Sequence, residues 1–281
     1  MTPVGTVAWL TFREARRRRT AVAALVLGVM FLALFITVFS FVTREIAAEV
    51  RREGPGAAPV EFAYTILLLA GFYVVHVLAV MLTIFSTAGA LAGEISTHVI
   101  QTVATKPLRR GEILLGKWLG HGAMLALYIA FLGGGLWLGV RLIAGFAAPG
   151  AWTALLLVIL EALVLLTVSL ILGTRLSTVA TGVLLVLLYG LTFAGGWIGQ
   201  IGNVLQSPSA MRIGQVAAHV LPVETLWRLA AYLMQPPLLA ALPVSPFTGG
   251  APPDDGIVGY AAVYVLVGLG IAMWSFERRD L

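Results

Sequence analysis

Few residues in this sequence have the type and spacing to do chemistry. Gly111-Glu112-Ile113-Leu114-Leu115-Gly116-Lys117 reads G-x-x-x-x-G-K, the beginning of a phosphate-cradling loop. Such a loop needs Ser or Thr next to hold magnesium, and Trp118 stands there. No strand pattern precedes it, and a long apolar run follows, so the chain is read as having no ATP site of its own. His76, His98, His121 and His219 are too far apart for metal-ligand spacing, the seven methionines are scattered, and cysteine is absent. No carboxylate cluster or nucleophile arrangement suggests a membrane enzyme. Glu161 is left, a lone carboxyl inside an apolar run. At the centre of a bilayer an ionisable group costs at least about 2.5 kcal/mol, so it must face protein or a wet cavity. Two readings stay open for Glu161: a transport path, by substrate contact or proton handling, or a packing residue hydrogen-bonded to Ser or Thr of another span.

The elements that must position these residues are helices in lipid. Of 281 residues, 59% are hydrophobic and 11% charged, whereas a water-soluble domain carries about 25% charged residues. The apolar runs exceed the roughly 18 residues that mark spanning helices, and they lack the ten-residue alternation of a membrane barrel. The expected fold is all-α: one polytopic transmembrane domain over residues 1–281, with spans at 21–42, 62–92, 113–144, 152–173, 179–198 and 257–276. The second and third are about ten residues longer than a bilayer needs, roughly 15 Å of helix each, and should protrude. The first run is too long for a signal-peptide core, and no leader is expected.

The net charge of +5 fits membrane topology better than nucleic-acid binding. Twelve Lys and Arg fall in one set of alternate connections and six in the other. The richer set holds both termini, so both are expected in the cytoplasm and the protein in the inner (cytoplasmic) membrane. Residues 1–20 should form an interfacial helix. Val4, Val7, Ala8, Phe12 and Ala15 share one side, and Arg13 and Arg16 to Arg19 supply charge for anionic lipid. Residues 43–61 read as a short charged outer loop. The outer segment 199–256 holds eight of the thirteen prolines and should contain short helices, one of them starting at Pro222 and lying at the interface or dipping back under protein cover. Gly116/Gly120, Gly135/Gly139 and Gly195/Gly199 have the spacing of close helix crossings, within a subunit or between two.

Between the second and third spans lies a stretch, 93–117, too polar and basic for lipid. Ile95, Val99, Thr102 and Val103 can share the apolar side of one short helix, Glu94 suits its N-terminus, and Pro107 stops it. A three-turn helix with an exposed apolar side, held out by two overlong spans, fits a groove on a soluble partner.

This stretch resembles the permease subunits of ATP-binding cassette exporters of the type-2 class. That class carries an acidic residue after its second span, then a pattern like G-T-(apolar)-x-x-(apolar)-x-x-x-P-(apolar)-x-R, then L-G-K leading into the third span. Here Glu94, Ile100-Gln101-Thr102-Val103, Lys106-Pro107-Leu108-Arg109-Arg110 and Leu115-Gly116-Lys117 stand in that order. His98 or Val99 replaces the usual glycine, and the usual acidic pair is reduced to Glu94. Thr11-Phe12-Arg13-Glu14-Ala15-Arg16-Arg17 near the start and Phe276-Glu277-Arg278-Arg279-Asp280-Leu281 at the end are also similar to that class.

The resemblance implies a permease half of an exporter that moves its substrate across the cytoplasmic membrane. Two ABC ATPase subunits, which bind ATP and magnesium, would dock on residues 93–110, and a second permease would pair with the first; homodimer and heterodimer stay open, with a second copy of this chain the preferred partner. Coupling contacts would fall on Glu94, Ile95, Val99, Gln101, Thr102, Lys106, Pro107, Leu108, Arg109 and Arg110. The interfacial helix, with Phe12, Arg13, Glu14, Arg16 and Arg17, would touch the ATPase edge. This chain would bind no cofactor or metal itself. The spans offer few buried polar side chains, which favours a lipid-like or amphiphilic substrate. Arg110 to Lys117 with Gly120-His121-Gly122 is also similar to the permease that helps supply copper to nitrous oxide reductase, so metal or sulfur species for metalloenzyme maturation are the alternative cargo. A stand-alone channel or secondary transporter is the alternative function; it predicts inverted repeats and several buried charges.

Overall fold

The computed structural model describes residues 2–53, 60–93, 109–235 and 256–279. Nine helices occupy them: α1 (Pro3–Arg17), α2 (Arg19–Glu53), α3 (Val60–Thr87), α4 (Arg110–Ala144), α5 (Ala151–Gly173), α6 (Thr178–Val204), α7 (Pro208–Val220), α8 (Val223–Met234) and α9 (Ile257–Glu277). Six of them, α2 to α6 and α9, are long and apolar enough to cross a membrane.

α5 is the hub. It is apolar on every side, as a helix enclosed by others should be, and 67% of its apolar window is buried against 11% for α2. α3, α4, α6, α8 and α9 all pack on α5, while α2 lies outside, against α3 and α4. Lipid tails are as apolar as leucine, so close packing rather than hydrophobic burial holds such helices together.

Helix limits depart from the apolar runs where polar residues are good helix formers or glycines are not. α2 continues past Val42 to Glu53, because Arg44, Glu45, Ala47, Ala48 and Glu49 favour helix as well as lipid-facing residues do. Most of the expected 43–61 loop is therefore helix. α3 stops at Thr87, and a turn at 88–91 replaces the last residues of the expected span. Gly89 and Gly93 weaken helix there, and Thr83 and Thr87 turn their hydroxyls back onto Ala79 and Thr83 carbonyls. α4 keeps its excess length: 35 residues make about 52 Å of helix against a hydrocarbon core of about 30 Å.

Residues 199–235 fold back on the bundle. α6 runs six residues beyond Ile198 to Val204 and pairs with α7 as a tight hairpin. A methyl on Gly199 would stand 2.8 Å from Gly214 Cα, so the two backbones touch. α8 begins after Pro222, buries Val223, Leu226, Trp227, Ala230, Ala231 and Met234, and packs on α5. Of the interfacial and protein-covered placements, α8 takes the second. Gly195/Gly199 and Gly116/Gly120 are crossings within the subunit, the latter with α1, and Gly135 and Gly139 receive Leu32 and Ile36 of α2.

Candidate functional site

Residues 94–108 lie outside the described residues, and with them Glu94, Ile95, Val99, Gln101, Thr102, Lys106, Pro107 and Leu108. The structure describes what this segment is anchored to. Its exit is the N-terminus of α4. Arg109 is the N-cap residue, and its backbone N–H donates to the Glu112 carboxylate at 2.9 Å, the returning half of a capping box. Gly111 to Lys117 are helical and Lys117 is 4% exposed, so no loop of amides is there to cradle phosphate.

Arg109 is exposed, and Arg110 turns back toward the last helix. Arg110 Nη1 meets three carbonyls at the end of α9: Phe276 at 3.4 Å, Glu277 at 3.2 Å and Arg279 at 2.6 Å. These are groups a helix leaves unpaired at its C-terminus, where the peptide dipoles also concentrate negative charge. Arg279 in turn donates to the Thr174 carbonyl. Thr174 shares a hydrogen bond with Ser275 at 2.8 Å, and Arg175 Nε donates to Ser275 at 3.0 Å. The start of α4, the α5–α6 turn and the end of α9 are thus one hydrogen-bonded unit.

α1 lies against the same part of α4. Thr2 caps it by accepting from the Gly5 N–H at 3.4 Å, and Pro3 occupies the first turn. Its apolar side presses on two glycines. A methyl on Gly116 would stand 2.6 Å from Val7, and one on Gly120 would stand 2.6 Å from the Ala8 carbonyl oxygen. Phe12 is half-buried, and Arg13, Glu14, Arg16 and Arg17 are exposed. Arg18 ends the helix in extended conformation and pairs with Glu14 at 2.7 Å. Burial pushes the Glu14 carboxyl up, but the Arg18 hydrogen bond and charge, with Lys117 and His121, more than offset this and hold it below the ordinary carboxylate range.

Glu161 is not alone. Its Oε2 lies 2.9 Å from His76 Nδ1 of α3, and His76 Nε2 lies 3.2 Å from the Tyr189 hydroxyl of α6. His76 and Glu161 are 0% and 1% exposed. Trp227 of α8 stacks on the His76 ring at 4.8 Å, and Tyr73 meets Trp227 edge-on at 5.5 Å. Glu224, in the first turn of α8, is also buried. Burial pushes its carboxyl up to about 7, against the opposing pull of His76 and Arg228. Glu161 Oε1 and Glu224 Oε2 have no hydrogen-bond partner among the described residues. Four helices thus meet at one polar cluster. Of the two readings for Glu161, the geometry makes it at least a packing residue, although its partner is histidine rather than Ser or Thr. The signal in the sequence was depth: His76, Glu161 and Tyr189 each sit near the middle of their helices.

The described residues thus form a helical bundle with six candidate membrane spans, and a polar stretch of sequence lies between the second and third. Residues 6–281 match the model of the ABC-2 family transporter proteins. The chain belongs to that family: it is a membrane permease component of an ABC transporter, and permeases of this kind lack an ATPase site and pair with ATPase subunits. No curated protein matches the chain. Membership sets aside the stand-alone channel or secondary transporter.

Proposed function

We propose that the protein is the permease half of an exporter that moves a lipid-like or amphiphilic substrate across the cytoplasmic membrane. ATP hydrolysis in two separate ATPase subunits, docked on residues 93–110, drives it. A second copy of the permease completes the path as a homodimer, and both termini face the cytoplasm.

The observation that carries this reading is the anchoring of the segment's exit. A docking helix transmits force only if its root is stiff. The root is a 35-residue helix, braced on one side by α1 and tied through Arg110 to the end of α9. A pull on residues 93–109 reaches α4, α9 and the α5–α6 turn as one body, the rigid-element behaviour that domain-scale switching requires. A lipid-like substrate fits spans that are overwhelmingly apolar, with His76, Glu161 and Tyr189 bonded to one another.

The test is co-purification. The full chain, extracted in mild detergent from cells that express its neighbouring genes, should carry a nucleotide-binding ATPase in equal amount. A Glu94→Lys variant should lose it. Recovery of the permease with no ATPase bound overturns the reading.

A further inference from the structure

We infer that the elbow between α1 and α2 is a binding site for one anionic phospholipid. A slot of about 210 Å³ lies there. Its walls come from Leu25 of α2, Leu82 of α3, and Leu127, Tyr128 and Phe131 of α4, and Arg16 of α1 stands at its rim. Tyr128 presents only its ring, because its hydroxyl donates to the Ala24 carbonyl at 3.0 Å. The slot therefore offers one guanidinium and otherwise apolar surface.

That guanidinium has no protein partner among the described residues. Among the described residues Arg16 makes no hydrogen bond or ion pair, and Glu14, the one carboxylate on α1, is held by Arg18 at 2.7 Å. Arg13 and Arg17 add charge of the same sign one turn or less away. Five N–H donors in a planar fork match a phosphate, and an acidic headgroup satisfies them better than a zwitterionic one. The apolar part of the ligand must come from the side, where Leu127 (60% exposed) and Phe131 (45% exposed) border the slot. In a membrane protein the molecule waiting there is a bilayer lipid, with its chain in the slot and its phosphate on Arg16. The inference needs α1 to lie at the bilayer surface; it does not depend on the ATPase or on the cargo.

The experiment uses the full chain, delipidated in detergent and then exposed to equimolar phosphatidylglycerol and phosphatidylcholine micelles. Retained lipids are counted by native mass spectrometry. Wild type should keep one phosphatidylglycerol in preference to phosphatidylcholine. Arg16→Gln should lose that preference by about fivefold, the factor one surface arginine contributes. Arg19→Gln, outside the slot, should keep it, and Leu25→Trp, which fills the slot, should retain neither lipid. Melting temperature in detergent alone, unchanged in Arg16→Gln, shows that the variant folds. Equal retention of the two lipids by wild type, or equal losses in Arg16→Gln and Arg19→Gln, overturns the site.

Discussion

Arg110 donates to the backbone carbonyl of Arg279 at 2.6 Å, joining residues 169 positions apart in the chain. The first residue of the third span is thereby tied to the end of the last. The same guanidinium reaches the Phe276 and Glu277 carbonyls, so the tie is to a helix end rather than to one group.

Removing that tie should separate two effects. Hydrogen bonds from a charged donor contribute about 1.5–3 kcal/mol, so Arg110→Ala should lower unfolding stability by about that much. If the guanidinium acts through its tie to the end of α9 and not as a docking contact, the change should lower the transport obtained per ATP by more than it lowers ATP hydrolysis. Arg110→Lys keeps the charge but not the fork and should fall between. Thermal unfolding and paired transport and ATPase assays check this.

The His76–Glu161 pair makes a prediction about stability. Removing one member of a buried hydrogen-bonded pair leaves the other stranded, at a cost of about 1–3 kcal/mol. Glu161→Leu should carry that cost. The double variant His76→Leu/Glu161→Leu should cost less than the two single changes together. A double-mutant cycle read by unfolding tests the coupling.

Both the reach and the limit of the sequence show in these two places. Six spans were legible because apolar length suffices to mark a span, and α8 was legible from Pro222 and its amphipathic spacing. Glu161 stood out because a carboxyl in lipid always needs an explanation. Its partner did not, because His76 is 85 residues away and only the packing of α3 on α5 brings the two to one depth. Arg110 is a similar case. Its charge marked the segment's exit, yet nothing local says that it would turn toward carbonyls at 276–279. The overrun of α2 to Glu53 was missed for a different reason: apolar runs report where lipid ends, not where the helix does.

The α1 dock should be sensitive to volume. Gly120→Leu forces a side chain against the Ala8 and Phe12 backbone and the Thr11 side chain, where even a methyl would stand 2.6 Å from the Ala8 oxygen. α1 should then detach from α4 and become protease-sensitive. Gly134→Ala, with nothing within 4 Å of the added methyl, should leave α1 protected, and the helix should gain about 0.5–1 kcal/mol. Limited proteolysis of the two variants gives the comparison.

Glu224 should make stability depend on pH. Its carboxyl is pushed up by burial to about 7 in the fold and returns to about 4.3 when unfolded. Between those values the folded state binds the extra proton, so stability falls as pH rises from about 4.5 to 7 and stays low above. His76 and Arg228 favour its charged form, and Glu161 opposes it. The total change is on the order of a few kcal/mol. Melting temperatures from pH 5 to 8 should decline in wild type and change less in Glu224→Gln; an equal slope in both removes Glu224 as the cause.

The central claim is that residues 93–110 are where the motor grips. The chain has no cysteine, so Val99→Cys gives a single attachment point for a short photo-crosslinker in the assembled transporter. The account predicts a crosslink to the ATPase subunit at Val99→Cys, strengthened or weakened by ATP, and none from Leu142→Cys at the far end of α4. A Val99→Cys protein that transports normally yet crosslinks only to lipid or to its own bundle would contradict it.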